Sequence, residues 1–512
     1  GSGTTTGSNQ LAYNIKILHT AAWKDHTTSY LAVLSGQESL QSTPNSVLDG
    51  IRRRNLGLSM RLSYGYKERY YLEGSFGYNG SERFAKDHRM GFFPSVGGAW
   101  VVSKEPFLLG SSKWLSFLKL RLSYGKVGND GIIDTPRFVH LPSIGQDQPS
   151  GSFRPGLGQI SRYRITGYQN NDVTWEIAEQ ANLGLETKFF NGLFEATVDI
   201  YQQVRHNVLA NRTVIPEAMG LGLQPLDNIG KVRSRGLDFA GKIQHAFNSD
   251  LWVILNGTFT YSKATYLKIE EAADKPEWQW KKGHDISQQV GYIAEGLFRD
   301  QMEIDNSPVQ GGDLMPGDIR YRDINDDGVI DVKDAVHIGF PTTPRIIYGF
   351  NGFINYKGLE FSFAFQGSGQ RGFFINPAAI SPFYGNHALL TAIYKDHWSV
   401  DNQAERPLWP RLSTKSITAH NPQEDYTTDK ETRMSTYFLK ECRFLRCTSL
   451  ELGYNLPKKW SRKLALKNLK VYVRANNPFL ISNFDLWDVE LGGNGFNYPI
   501  QKTYSVGLNV NF

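Results

Sequence analysis

Read back from residue 512, the chain alternates: Tyr504, Val506, Leu508, Val510 and Phe512 are separated by Ser505, Gly507, Asn509 and Asn511. A period of two places every second side chain on one face of a β-strand. The pattern returns at Leu469, Val471 and Val473, at Leu450, Leu452 and Tyr454, at Leu359, Phe361, Phe363 and Phe365, and at Leu251, Val253, Leu255 and Phe259. Upstream it continues through Ala196, Val198 and Ile200, through Leu118, Leu120, Leu122 and Tyr124, and through Leu56, Leu58, Met60, Leu62 and Tyr64. The predicted strands run roughly 9–15 residues, against about 5–6 in an ordinary soluble sheet and about 9–11 for a tilted strand crossing a bilayer. The pattern therefore predicts an all-β chain built as an antiparallel transmembrane β-barrel.

Connection lengths test this independently, because an outer-membrane barrel alternates short periplasmic turns with long extracellular loops. Short connections fall at Lys24-Asp25-His26, Lys67-Glu68-Arg69, Asn191-Gly192, Asn248-Ser249-Asp250 and Lys357-Gly358, with intermediate ones over 103–116 and 458–468. Between them lie long segments over 38–55, 80–90, 128–174, 205–236, 263–344, 368–441 and 477–503. This spacing predicts fifteen strands, the first over about residues 11–23. A single-chain bacterial barrel closes on an even number, and an open sheet would leave unpaired amides and carbonyls against hydrocarbon. Residues 1–512 are therefore expected to form the C-terminal part of a larger barrel, with the remaining strands supplied by a preceding segment or chain.

Composition narrows the alternatives. Mean hydropathy is −0.40, and no stretch approaches the roughly 20 apolar residues of a membrane-spanning helix. An aromatic fraction of 13% is too high for a disordered chain. The 56 basic and 50 acidic residues give a net charge of +6 without a long run of either sign, so nucleic acid is not an expected partner. Cys442 and Cys447 lie five apart, a spacing that on a strand turns them to opposite faces and disfavours a local disulfide. Residues 1–10 lack the basic and apolar segments of a signal peptide, which reads as removal of a leader or a start inside a longer protein.

Several blocks together resemble the SusC/RagA family of TonB-dependent outer-membrane transporters. They are RYYLEGSFGYNGSERFAKDHRMGFFPSVGGAWVVSKEPF (69–107), LKLRLSYGKVGNDGI (118–132), NIGKVRSRGLDF (228–239), GYIAEGLF (291–298), PGDIRYRDINDDGVIDVKDAVHIGFPTTPRIIYGF (316–350), FLRCTSLELGYNLPKKW (444–460) and YSVGLNVNF (504–512). The resemblance implies an integral outer-membrane barrel of about 22 strands that imports oligosaccharides or peptides under a SusD-type surface lipoprotein. It also implies that the N-terminal plug, which contacts TonB, lies outside this sequence. The terminal strand, with alternating apolar residues and a C-terminal aromatic at Phe512, resembles the signal read by the barrel-insertion machinery.

The sharpest local motif is Asp323-Ile324-Asn325-Asp326-Asp327-Gly328-Val329-Ile330-Asp331-Val332-Lys333-Asp334. Oxygen side chains at positions 1, 3, 5, 9 and 12, glycine at 6 and a carbonyl at 7 follow a Ca²⁺-loop spacing. The expected ligands are Asp323, Asn325, Asp327, the Val329 carbonyl, Asp331 and Asp334, in an extracellular loop over 263–344. An Asx-rich turn held by its own backbone is the competing reading. Loop aromatics Trp278, Trp280, Phe383, Tyr384, Trp398 and Trp409 are candidate substrate or lid contacts, with loop packing as the alternative. Trp23, Tyr64, Trp100, Tyr124, Tyr261 and Tyr454 read as an interfacial girdle.

No catalytic constellation is expected. The eleven histidines form no HxH or HxxxH pair, Glu270-Glu271 reads as a solvated loop face, and Gly367-Ser368-Gly369 lacks the strand-to-helix context of a nucleophile elbow. A structural or assembly component on the same barrel, and a secreted all-β glycan-active enzyme, are the alternatives to an importer. Strand length argues against the second, and the fold cannot separate the first.

Overall fold

Alternation governs the architecture. The computed structural model describes residues 7–41, 50–111, 113–131, 138, 140–147, 162–215, 217–221, 223–404, 406–424, 434–463 and 466–511. Among them sixteen strands form one sheet. Fifteen follow in hydrogen-bonded order: Ser8–Trp23, His26–Gln41, Arg53–Tyr66, Tyr70–Ser81, Met90–Val101, Leu115–Asn129, Glu176–Phe189, Phe194–Asn211, Leu226–Ala246, Leu251–Lys268, Ile346–Tyr356, Leu359–Gly369, Phe444–Asn455, Asn468–Asn476 and Thr503–Asn511. The sixteenth, Leu480–Ser482, pairs beside Phe444–Asn455. The path thus has the fifteen strands that periodicity predicts. Strands Phe194–Asn211 and Leu226–Ala246 reach 18 and 21 residues, so the segment expected to loop over 205–236 is mostly strand. The run Lys231-Val232-Arg233-Ser234-Arg235 carries too few apolar residues to show alternation, although the backbone continues to pair.

Two compact units share the chain, one comprising 1–237 with 264–273 and the other 238–263 with 274–512. In the first, cross-strand register places Trp23, His26, Tyr66, Tyr70 and Trp100 in one row, and the Trp23 and His26 rings stack at 5.6 Å. Aromatic rings with one apolar and one polar end suit a bilayer interface. Tyr64 lies one row further in, pairing with Leu72. Tyr124 pairs with Val96, four residues beyond the Trp100–Leu120 pair, or about 13 Å along the strand. It belongs to the middle of the apolar band and not to the girdle at this end.

The second unit repeats the design. Leu251, Tyr356, Leu359, Tyr454, Val471 and Leu508 form a continuous row, followed along the same face by Phe361, Phe363 and Phe365. The Phe350 and Phe365 rings stack at 4.7 Å. Lys357 and Gly358 both adopt positive φ, 49° and 86°, as a tight hairpin with the right-handed strand twist requires. A Cβ on Gly358 would meet the Asn455 carbonyl at 2.9 Å, so glycine serves both the turn and the close approach. The buried apolar core of this unit lies in its long connections, where Ile319, Tyr321, Ile375, Ile393, Trp409, Ile417, Met434 and Phe438 pack together.

Candidate functional site

In each unit the polar phase of the alternation carries a cluster of ion pairs. In the first unit Arg121 faces Glu186 at 2.7 Å and Asp199 at 3.2 Å. Arg121 and Asp199 are both paired to Gly184 on the strand between them, so the guanidinium crosses over that strand. A Cβ on Gly184 would lie 2.7 Å from Asp199 Oδ1 and 2.8 Å from Arg121 Nη2. Glycine therefore opens the passage. The second unit has the same device: Lys470 reaches Glu360 at 2.6 Å and Glu451 at 3.0 Å, and a Cβ on Gly453 would meet Lys470 Cε at 2.5 Å. These residues escape a motif search because they belong to different strands. Their signal in the sequence is charge in the polar phase of strands whose other phase is apolar.

Above the second unit's strands, the PGDIRY block forms the hub of the loop core. Gly317 has φ 92°, and a Cβ there would lie 2.3 Å from the Trp398 ring. Asp318 is fully buried. Its Oδ1 accepts from His420 Nδ1 at 2.6 Å and lies 2.9 Å from Arg411 Nε in an ion pair off the hydrogen-bonding direction, while Oδ2 accepts from the Met315 N–H at 2.8 Å. Beside it, Tyr321 donates to Glu424 Oε1 at 3.0 Å and the Ser435 N–H donates to Oε2 at 3.2 Å. Burial pushes the Glu424 carboxyl up to about 7 despite these donors, since removing a charge from water costs more than a few hydrogen bonds return.

The aspartate loop closes mainly on its own backbone. Asp323 Oδ2 accepts from the Gly328 N–H at 2.7 Å, Asn325 Oδ1 from Asp327 N–H at 3.2 Å, and Asp327 Oδ1 from Val329 N–H at 2.9 Å. Asp334 is fully buried and accepts from the Ile324 and Asp331 N–H groups, both at 2.8 Å. Asp331 Oδ1 accepts from Lys333 N–H at 2.7 Å. Among the described residues no three His, Cys, Asp or Glu side chains converge as a metal-binding group. One donor atom is left over: Asp323 Oδ1 is buried without a hydrogen-bond partner.

Trp278 and Trp280 join this loop. Trp278 Nε1 donates to the Lys333 carbonyl at 2.8 Å and Gln279 Nε2 to the Val332 carbonyl at 2.6 Å, while both indoles stay partly exposed. His337 Nε2 lies 2.8 Å from the Trp280 carbonyl, and its ring stacks on His284 at 3.5 Å. Burial lowers the proton affinity of both imidazoles. The sequence gives no sign of this pair, whose members lie far apart along the chain. Phe383 and Tyr384 occupy a separate turn and are exposed.

Trp409 is corrected: at 2% exposure it packs on Phe438 inside the loop core and cannot meet a ligand there. Trp398 packs against the same core and over Gly317. Glu270 is held by Arg212 at 3.0 Å and by the Thr213 N–H at 2.8 Å, so it clasps a connection. Cys442 and Cys447 are buried free thiols. Phe512 lies outside the described residues.

The family described as TonB dependent receptor-like, beta-barrel, matches residues 2–511. TonB-dependent receptor P26 of Formosa agariphila is 29% identical over 477 residues, covering 88% of this chain and 45% of that protein. TonB-dependent receptor SusC of Bacteroides thetaiotaomicron is 27% identical over 466 residues, covering 88% and 43%. The chain thus spans about half the length of the curated relatives it matches. The RagAB peptide importer in its closed-closed state superposes with a TM-score of 0.72 at 21% identity, over 99% of this chain and 55% of that one.

Proposed function

The chain belongs to the TonB-dependent receptor-like β-barrel family, an integral outer-membrane class, and from that premise we propose that it forms part of the barrel wall of a nutrient importer. In this reading a SusD-type lipoprotein covers the extracellular end, and a plug encoded before these residues contacts TonB. The cargo is an oligosaccharide or a peptide. The observation that carries the reading is the two-faced sheet: an exposed apolar face fit for lipid, and opposite it ion pairs threaded over Gly184 and Gly453 that suit a water-filled lumen.

The relatives support transport over catalysis, being named receptors. A structural role on the same barrel is separated from transport by uptake. A strain deleted for the intact gene is offered fluorescent oligosaccharides and peptides, with and without a functional TonB. Import of one class that needs both the gene and TonB supports the proposal; growth and uptake unchanged by the deletion contradict it.

Calcium at the aspartate loop is proposed as part of the extracellular end. The Ca²⁺-loop spacing and the unpartnered Asp323 Oδ1 support it, with Asn325, Asp327 and the Val329 carbonyl as neighbouring donors. Asp331 and Asp334 would have to release backbone amides to join them. Calorimetric titration of the intact protein with Ca²⁺ is expected to show one site lost in Asp323→Ala/Asp327→Ala, while the barrel stays folded. Absence of binding in the unmodified protein contradicts it. The exposed Trp278, Trp280, Phe383 and Tyr384 are proposed as contacts for cargo or lid.

A further inference from the structure

At the end of the sheet that carries the short turns, one connection has a charge pattern that neither the polar face nor the loop core uses. Between strands Phe444–Asn455 and Asn468–Asn476 it holds a short helix, Lys458–Lys463. In sequence the run 457–467, PKKWSRKLALK, contains Lys458, Lys459, Arg462, Lys463 and Lys467 and no Asp or Glu. Two other turns at this end carry paired charge: Lys67 lies 3.8 Å from Asp25, and Lys104 pairs with Glu68. Lys458, Lys459 and Lys467 are exposed, without an acidic partner among the described residues.

Trp460 stands in the same helix at 59% exposure. Ser461 of this helix is buried, and its hydroxyl donates to the Leu456 carbonyl at 3.5 Å. The turn therefore presents lysines and an indole outward. It follows the apolar face that carries Tyr454 and Val471, on which Leu469, paired with Val510, lies one row nearer the turn. Indole rings settle at the headgroup level, and basic clusters flush with a membrane-spanning element attract anionic lipid.

We propose that this turn binds the phosphate headgroups of anionic phospholipids in the periplasmic leaflet, with the lysines facing the phosphates and Trp460 seated between headgroups. The inference rests on membrane placement alone and is independent of what the protein imports. Two phosphate sources and an acidic protein partner are separable by experiment.

The intact protein carrying this chain is purified in detergent, incubated with micelles of dioleoylphosphatidylcholine and dioleoylphosphatidylglycerol, and assayed for retained lipid by native mass spectrometry. Preferential retention of phosphatidylglycerol is expected, falling about tenfold or more in Lys458→Gln/Lys459→Gln/Lys467→Gln and restored by the triple Arg variant. Phosphatidylcholine retention should not change. Quenching by bromine-labelled phosphatidylglycerol should drop in Trp460→Phe. Heat-modified gel migration checks that each variant is folded. Equal phosphatidylglycerol retention in the folded Gln variant overturns the proposal. So does displacement by inorganic phosphate at the same concentration as by lipid, or a variant that loses only a crosslinked periplasmic protein.

Discussion

Single residues decide how charge is carried on the polar face. Gly184 and Gly453 sit under an Arg and a Lys whose partners lie across an intervening strand. A partly exposed ion pair contributes about 0–1 kcal/mol, so its effect is best read as a coupling. In a double-mutant cycle of Arg121→Gln and Asp199→Asn, a coupling of about 0.5–1 kcal/mol is expected, vanishing in the Gly184→Val background. Chemical denaturation of the reconstituted protein measures it; an unchanged coupling would show that the passage over Gly184 is not needed. Glu424 makes a second residue-scale prediction. Its folded-state proton affinity is raised to about 7 from 4.5, so the folded loop core holds a proton that the unfolded chain releases between those values. The stabilisation is full below about pH 4.5, declines as pH rises and is gone above about 7, by at most about 3 kcal/mol. Glu424→Gln should flatten that decline in proteolysis of the loop core followed from pH 4.5 to 7.5. A wild-type core that grows more resistant over this range would contradict the assignment.

At the scale of elements, the strands were legible and the loop interiors were not. Period two is written into each strand by the bilayer, which demands apolar residues on one face, so Leu359, Phe361, Phe363 and Phe365 identify their strand without neighbours. The Lys231–Arg235 stretch pairs as strand beyond the point where lipid imposes a pattern, so its length is not legible in the alternation. Loop packing joins segments far apart in sequence: Asp318 meets Arg411 and His420, and Trp409 lies against Phe438, so neither the hub nor the burial of Trp409 could be read locally. The aspartate motif was visible as a spacing, yet spacing alone does not tell a cation site from an Asx-rich turn. Asp334 gives the element its test. Asp334→Ala leaves the Ile324 and Asp331 amides without acceptors at about 1–3 kcal/mol each, and limited proteolysis should cut near residues 323–334 in the variant and not in the parent. Equal resistance would mean that the loop is held by other contacts.

For the molecule as a whole, fifteen strands in hydrogen-bonded order follow one physical rule, with lipid on one face and water on the other. That rule accounts for the exposed Leu452, Val473, Val506 and Leu508, which would be anomalous in a water-soluble sheet. It also accounts for Glu451, Lys470 and Arg474, which hydrocarbon would not tolerate. The central claim is that the charged face borders an aqueous path. Single cysteines introduced at Glu451, Leu452, Val473 and Arg474, in the intact protein with Cys442→Ala and Cys447→Ala, are exposed in isolated outer membranes to a charged maleimide. Labelling at 451 and 474 with protection at 452 and 473 is the predicted result, whereas uniform labelling, or the reverse order, would contradict the account.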